Sequence, residues 1–150
     1  SNNTIAKAYG KILEGLICLL QISKDNESIF AADEFGNMKQ FGIKLKKIVQ
    51  DYPKVFKHEI GCMAVTQNSE YLLVSDKKGS LKQFDIKNFS LYRHPQKLKK
   101  SYIVAMAASP DGSCYFNSDT LGHTKQFLLG SGVLVKDYKK VFCGGKGKVA

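Results

Sequence analysis

The sequence predicts an all-β fold assembled from copies of one short unit, and two observations carry that reading. The first is a fixed period. Lys39-Gln40-Phe41, Lys82-Gln83-Phe84 and Lys125-Gln126-Phe127 are one tripeptide repeated every 43 residues. Asp33 with Gly36, Asp76 with Gly79 and Asp119 with Gly122 recur upstream in the same register, and Lys11, Lys54, Lys97 and Lys140 form a fourth series at that spacing. The second observation is that each copy divides into four short strand-like runs separated by polar turns. Self-similarity at about 40–45 residues, built of strand-like pieces, points to the blades of a β-propeller.

The copy that begins at Ile60 is the clearest. Ile60 to Thr66 is an apolar run, Gln67-Asn68-Ser69-Glu70 a polar turn, and Tyr71 to Ser75 a second apolar run. Asp76-Lys77-Lys78-Gly79 reads as a tight turn whose glycine supplies a positive φ. Ser80 to Ile86 alternates as a third strand, Lys87-Asn88 turns again, and Phe89 to Arg93 makes a fourth. The first copy has matching runs near 16–22, 28–32, 37–43 and 46–50, and the third near 103–109, 114–118, 123–129 and 133–136. The inner two strands of each copy are apolar almost throughout, which suits strands covered on both faces by adjacent blades. The expected organisation is one propeller segment over 1–150, with blades near 16–50, 60–93 and 103–136.

These residues resemble the WD-repeat β-propeller family over nearly the whole chain. Ser109-Pro110-Asp111-Gly112 matches that family's turn between the first and second strands, with Ser23-Lys24-Asp25-Asn26 and Thr66-Gln67-Asn68-Ser69 as degenerate counterparts. Gly79-Ser80-Leu81-Lys82-Gln83-Phe84-Asp85 is similar to its third-strand signature, which usually ends in Trp-Asp. Here Phe41, Phe84 and Phe127 take the Trp position, and the chain has no Trp at all. The family's Gly-His dipeptide is missing, and Phe35, Lys78 and Leu121 stand where its turn Asp belongs. Asp33, Asp76 and Asp119, two residues earlier, are the expected substitutes, accepting hydrogen bonds from turn backbone or a nearby Lys. Phe41, Phe84 and Phe127 are expected in the core.

Three blades do not close a ring. Residues 4–9 overlay a fourth strand, Ile5-Ala6-Lys7-Ala8-Tyr9 on Ile48-Val49-Gln50-Asp51-Tyr52, and residues 146–150 overlay the opening of another first strand. Propellers typically need 4–8 blades, so either further blades belong to the same chain or copies assemble into a ring that buries the open ends. Both orphan pieces, 4–9 and 143–150, are expected to pair as strands with another copy.

The net charge is +10, from 23 basic and 13 acidic residues. That excess suits a solvated surface or an acidic partner, namely a protein segment, nucleic acid or anionic lipid. Cys18, Cys62, Cys114 and Cys143 form no CxxC pair and the first three lie in apolar runs, so buried free thiols in a reducing, cytoplasmic setting are expected. His58, His94 and His123 are scattered, without zinc-ligand spacing. No run approaches the ~20 apolar residues of a membrane helix, and no leader-like segment is visible. Neither a cofactor nor a metal is expected, and no motif places two carboxylates or a nucleophile with its base, so an enzyme is not expected either.

The resemblance implies that the turn after each second strand shares a face with the linker leading to the next blade. That face would carry Tyr9, Lys11, Tyr52, Lys54, Lys77, Lys78, Lys97, Tyr138 and Lys140 as candidates for contact with a partner. Asp51-Tyr52-Pro53-Lys54-Val55-Phe56 and Asp137-Tyr138-Lys139-Lys140-Val141-Phe142 are near copies. The tyrosines either anchor a partner or pack under the linker while the lysines reach water. Lys39, Lys82 and Lys125 are expected partly buried. The function implied is a non-enzymatic protein-interaction scaffold, with binding of nucleic acid, anionic lipid or an acidic tail as the alternative.

Overall fold

The computed structural model describes residues 4, 5, 7–93 and 101–140. Among them lie twelve strands: β1 Ile17–Ile22, β2 Ser28–Asp33, β3 Met38–Gly42, β4 Lys47–Tyr52, β5 Ile60–Val65, β6 Tyr71–Asp76, β7 Leu81–Asp85, β8 Ser90–Arg93, β9 Ile103–Ala108, β10 Cys114–Asp119, β11 His123–Leu128 and β12 Leu134–Lys140. They form three antiparallel four-stranded sheets in the orders β1-β2-β3-β4, β5-β6-β7-β8 and β9-β10-β11-β12, each a meander of neighbours in sequence. The first strands β1, β5 and β9 stand beside one another, so the sheets radiate from a shared inner edge as blades do.

The period is visible in the backbone. Left-handed residues recur at Asn26, Ser69 and Gly112 (φ 57°, 57° and 71°), at Gly36, Gly79 and Gly122 (82°, 81° and 84°), and at Lys46, Phe89 and Gly132 (52°, 52° and 69°). Only Gly tolerates the second series freely, and at Gly36 space also forbids a side chain: a Cβ there would run into the Phe56 carbonyl oxygen. The first turn of each blade is held by one device. The hydroxyl of Ser23, Thr66 or Ser109 meets the side chain of Asp25, Asn68 or Asp111 and accepts the amide of Ser28, Tyr71 or Cys114.

The core lies between blades. Phe30, Ala32 and Met38 from the first blade meet Ile60, Met63, Val65, Leu72, Val74 and Phe84 of the second. Cys62, Ala64, Leu73 and Leu81 from the second meet Ile103, Tyr115 and Phe127 of the third. Phe41, Phe84 and Phe127 are all buried, at 3%, 6% and 9% exposure. Phe84 and Phe127 each pack against the blade before, whereas Phe41 packs with Leu13, Tyr9 and Ile12 of the N-terminal segment.

Several expectations need correction. The fourth strands of the first and third blades run on to Tyr52 and Lys140, because Met38 pairs with Tyr52 and His123 with Lys140. The described residues within 4–9 are not in a strand. Instead Tyr9, Ile12 and Leu13 lie as a strap on Phe41, Ala31 and Ile29 of their own chain. Cys18 is exposed while Cys62 and Cys114 are buried, although the Cys18 thiol meets the Ile60 carbonyl of the second blade (3.5 Å). The outer face of β1 leaves Ile17, Leu20 and Ile22 exposed, and the far side of the third blade leaves Val104, Leu128 and Tyr138 exposed. Residues 143–150, with Cys143, lie outside the described residues, as does Lys97; of Lys140 only the backbone is described.

A candidate interaction face

Among the described residues, linkers 10–16 and 53–59 both meet the first blade's turn, the former through the Gly15 amide on Asp33 Oδ2 (3.4 Å) and the Leu16 amide on Glu34 Oε1 (3.2 Å). Linker 53–59 leaves β4 and lies against the first blade's turn: the Lys54 amide donates to Asn37 Oδ1 (3.0 Å) and the Phe56 amide to the Gly36 carbonyl (3.3 Å). Each turn is organised by its Asp. Asp33 Oδ1 accepts the amides of Phe35 and Asn37 (3.0 and 2.9 Å), Asp76 Oδ1 those of Lys78 and Ser80 (2.9 and 2.8 Å), and Asp119 Oδ1 those of Leu121 and His123 (2.9 and 3.0 Å). All three carboxylates are buried. Burial pushes the Asp119 carboxyl up, but hydrogen bonds from the His123 amide, the Ser101 hydroxyl and the Leu121 amide outweigh it and hold the group below its ordinary value.

The aromatic candidates serve packing. Tyr9 meets Phe41 edge-on with ring centroids 5.0 Å apart, and Tyr52 meets Phe84 in the same way at 5.4 Å. Each linker Tyr thus covers the Phe of the following blade. Tyr52 is buried and donates its hydroxyl to Gln40 Oε1 (3.1 Å); burial pushes that phenol up to about 12. It offers no ring to a partner. Tyr138 makes the equivalent bond to Gln126 (2.9 Å), yet it is 41% exposed because among the described residues no following blade covers it. Position 95, where the series would place a further Tyr, is Pro. In the third blade Tyr115 stacks on Phe127 instead, 5.1 Å away and nearly parallel.

The lysines divide into engaged and free. Lys11 pairs with Glu14 (3.5 Å), Lys39 with Asp51 (3.5 Å) and Lys77 with Glu59 (2.7 Å). Lys82 is pinned by the Val55 carbonyl and lies 5.0 Å from the centroid of the Phe56 ring. Lys54, Lys57 and Lys78 have no ion pair among the described residues. Lys78 lies 5.5 Å from the centroid of the Tyr102 ring.

Two clefts open here. One, of about 540 Å³, runs between linker 54–58 and the second blade's turn, lined by Lys54, Lys57, His58, Lys78 and Lys82 around Val55, Phe56, Ser80 and Leu81; its lone carboxylate is Asp76. The other, of about 710 Å³, lies nearer the inner edge and mixes charges: Glu34, Lys77 and Thr120 face it from one repeat position, with Glu59 and Tyr102 beside them. Sequence reasoning missed Lys57, His58, Glu59 and Tyr102: the last three do not recur across the repeats, and Lys57 recurs only at Lys100. Among the described residues no group of His, Cys, Asp and Glu is arranged to hold a metal ion, and no helix is long and apolar enough to cross a membrane.

No protein-family model and no curated protein sequence matches the chain. Solved structures do. The chain is similar to the RRP9 WD40 repeats and to U3-55K, each at TM-score 0.79 and 12% identity over 85% of its length. It is also similar to the Cps50 (Swd1) β-propeller domain of Myceliophteria thermophila, at TM-score 0.72 and 11% identity over 87%. It spans only 39–41% of those chains. The repeated tripeptide, the three antiparallel four-stranded sheets and this likeness agree: the chain has the fold of a WD40-repeat β-propeller, of which the described residues form three blades without closing the ring.

Proposed function

We propose that the chain is a protein-interaction scaffold with no catalytic chemistry of its own, and that its linker–turn face takes an acidic protein segment. The propeller fold supports the general role. The observation that carries the finer reading is the contrast among lysines on one face: Lys11, Lys39 and Lys77 are neutralised by carboxylates, while Lys54, Lys57 and Lys78 are not. Unpaired cations held around a cleft favour an anionic partner and speed its encounter. The exposed apolar flanks at Ile17, Leu20 and Ile22 and at Leu128 and Tyr138 are read as seats for further blades, of the same chain or of a second copy. Sedimentation velocity tests the second-copy form, and a concentration-independent monomer would remove it.

Fluorescence anisotropy with a labelled glutamate-rich peptide, a short DNA duplex and phosphatidylserine vesicles tests the main reading. The peptide is expected to bind in preference to the other two. Preferential binding of the duplex, with a steep loss of affinity in salt, would replace the reading with a nucleic-acid one; preferential vesicle binding would replace it with a lipid one.

A further inference from the structure

Repeat proteins carry their own internal control. A residue that serves the blade recurs at intervals of 43, and a residue that serves something else does not. The positions that line the second blade's cleft can be compared with the same positions one period earlier. Lys54 and Lys82 correspond to Lys11 and Lys39, so those two lysines belong to the common frame. Lys78 corresponds to Phe35 one period earlier and to Leu121 one period later, and Lys57 corresponds to Glu14 one period earlier, with Lys100 repeating it one period later. In the first blade Glu14 pairs with Lys11 and Asp51 pairs with Lys39, so that junction is neutralised from within. In the second blade Lys57 stands where the first blade has Glu14, and Lys78 stands where both neighbouring blades have an apolar residue. The junction gains charge where the frame requires none.

The geometry is suited to hold a ligand. Linker 54–58 is fixed from behind through Asn37 and Gly36 of the first blade. The opposite wall is the Asp76 turn, whose carboxylate is buried and already accepts two backbone amides, which limits its repulsion of an incoming anion. Lys82 is held in place on the Val55 carbonyl and the Phe56 ring. Lys54, Lys57 and Lys78 are exposed around the opening, and their ammonium groups have no carboxylate partner among the described residues.

We infer that the cleft between linker 54–58 and the 76–82 turn is the anion seat of this face, and that it holds an anionic side chain of an extended peptide, carboxylate or phosphoryl, between Lys54, Lys57 and Lys78. This rests on the scaffold reading above and narrows it to one cleft of one blade. A carboxylate accepts from two ammonium groups at once and a phosphoryl group from three, so both fit the donor set by charge-assisted hydrogen bonds.

The first blade supplies the test. The double variant Lys57→Glu with Lys78→Phe installs the residues that the same fold already carries at those positions, so it is expected to fold with an unchanged melting curve. The control, Lys47→Glu with Lys87→Gln, makes the same change in net charge at exposed positions away from the cleft. Anisotropy is read with a labelled glutamate-rich peptide and with its phosphoserine counterpart. The cleft variant is expected to lose about tenfold or more in affinity for the preferred peptide, and the control less than about threefold. The peptide that binds the wild type more tightly identifies the group as carboxylate or phosphoryl. Equal losses in the two variants would overturn the cleft while leaving the acidic-partner reading standing. Failure of the unmodified chain to bind either peptide would overturn both. A loss of duplex binding that matches or exceeds the loss of peptide binding would assign the cleft to nucleic acid and overturn the peptide.

Discussion

Replacing Gln83 with Met should stabilise the protein, and the same change at Gln40 should do the reverse. The two residues occupy one repeat position on the third strands of adjacent blades. Gln40 is satisfied on both sides: its Nε2 donates to Ser28 Oγ at 2.9 Å, and its Oε1 accepts from the Tyr52 hydroxyl at 3.1 Å. Gln83 is fully buried, and neither its Nε2 nor its Oε1 finds a partner among the described residues. The sequence states why. The residue corresponding to Ser28 is Tyr71, and the one corresponding to Tyr52 is Pro95, which has no hydroxyl to give. A buried amide without partners costs about 1–3 kcal/mol. Met matches Gln closely in length and shape and carries no such group, so Gln83→Met should recover about 1–2 kcal/mol. For a chain of this size that is a rise of about 2–8 °C in Tm. Gln40→Met removes two hydrogen bonds and strands two buried hydroxyls, a loss of about 1–3 kcal/mol. Urea unfolding followed by circular dichroism reads both, with the m-value checked for constancy. If the two substitutions shift the midpoint in the same direction, the pairing logic of the Gln–Tyr contacts is wrong.

The buried ring of Phe84 packs under Tyr52 between two blades, so Phe84→Ala should cost about 3–5 kcal/mol in the same unfolding assay. Asp76→Ala unties the Lys78 and Ser80 amides and should cost about 1–3 kcal/mol. Acid should weaken the turns. The Ser109 hydroxyl, with the amide and hydroxyl of Ser113, holds Asp111 down at about 2 against an ordinary 3.8, and Asp25, Asp85 and Asp119 are displaced in the same direction. A carboxyl lowered in the folded state stabilises above its unfolded value, and that stabilisation is lost as pH falls through the folded one. The urea midpoint should therefore fall between pH 3.8 and about 2, by less in Asp111→Asn; a flat midpoint over that window would refute the assignment.

What the sequence made legible is what the period repeats. The three Lys-Gln-Phe copies located the third strands, the Asp–Gly turns located the left-handed glycines, and the Phe series located the inter-blade core. A feature recurs when every blade needs it, and recurrence can be read from one chain. Burial decided by a neighbour cannot. Tyr52 and Tyr138 each follow an Asp and make the same hydroxyl bond, yet one is buried and the other open, because among the described residues a following blade covers the first alone. Residues 5–9 overlay a fourth strand with Ile5 on Ile48 and Tyr9 on Tyr52, but a strand also needs a partner edge, so the described part becomes a strap on Phe41.

The cleft was the harder case because it is written in departures from the period. Lys57 and Lys78 carry no signal as single residues in a lysine-rich chain; Lys78 stands out only beside Phe35 and Leu121, and Lys57 only beside Glu14, at positions whose spatial proximity the fold alone discloses. Gln83 belongs to the same class, since its defect lies in Tyr71 and Pro95, the residues that fail to answer it. In this fold the repeated residues specify the frame. The unrepeated ones mark where a blade has been released from the frame's requirements, and in the second blade that release brings charge to an open cleft in one place and leaves a stranded amide in another. Only the first has solvent access and donors turned outward, which is why it is the cleft and not the buried Gln that is put forward as a site.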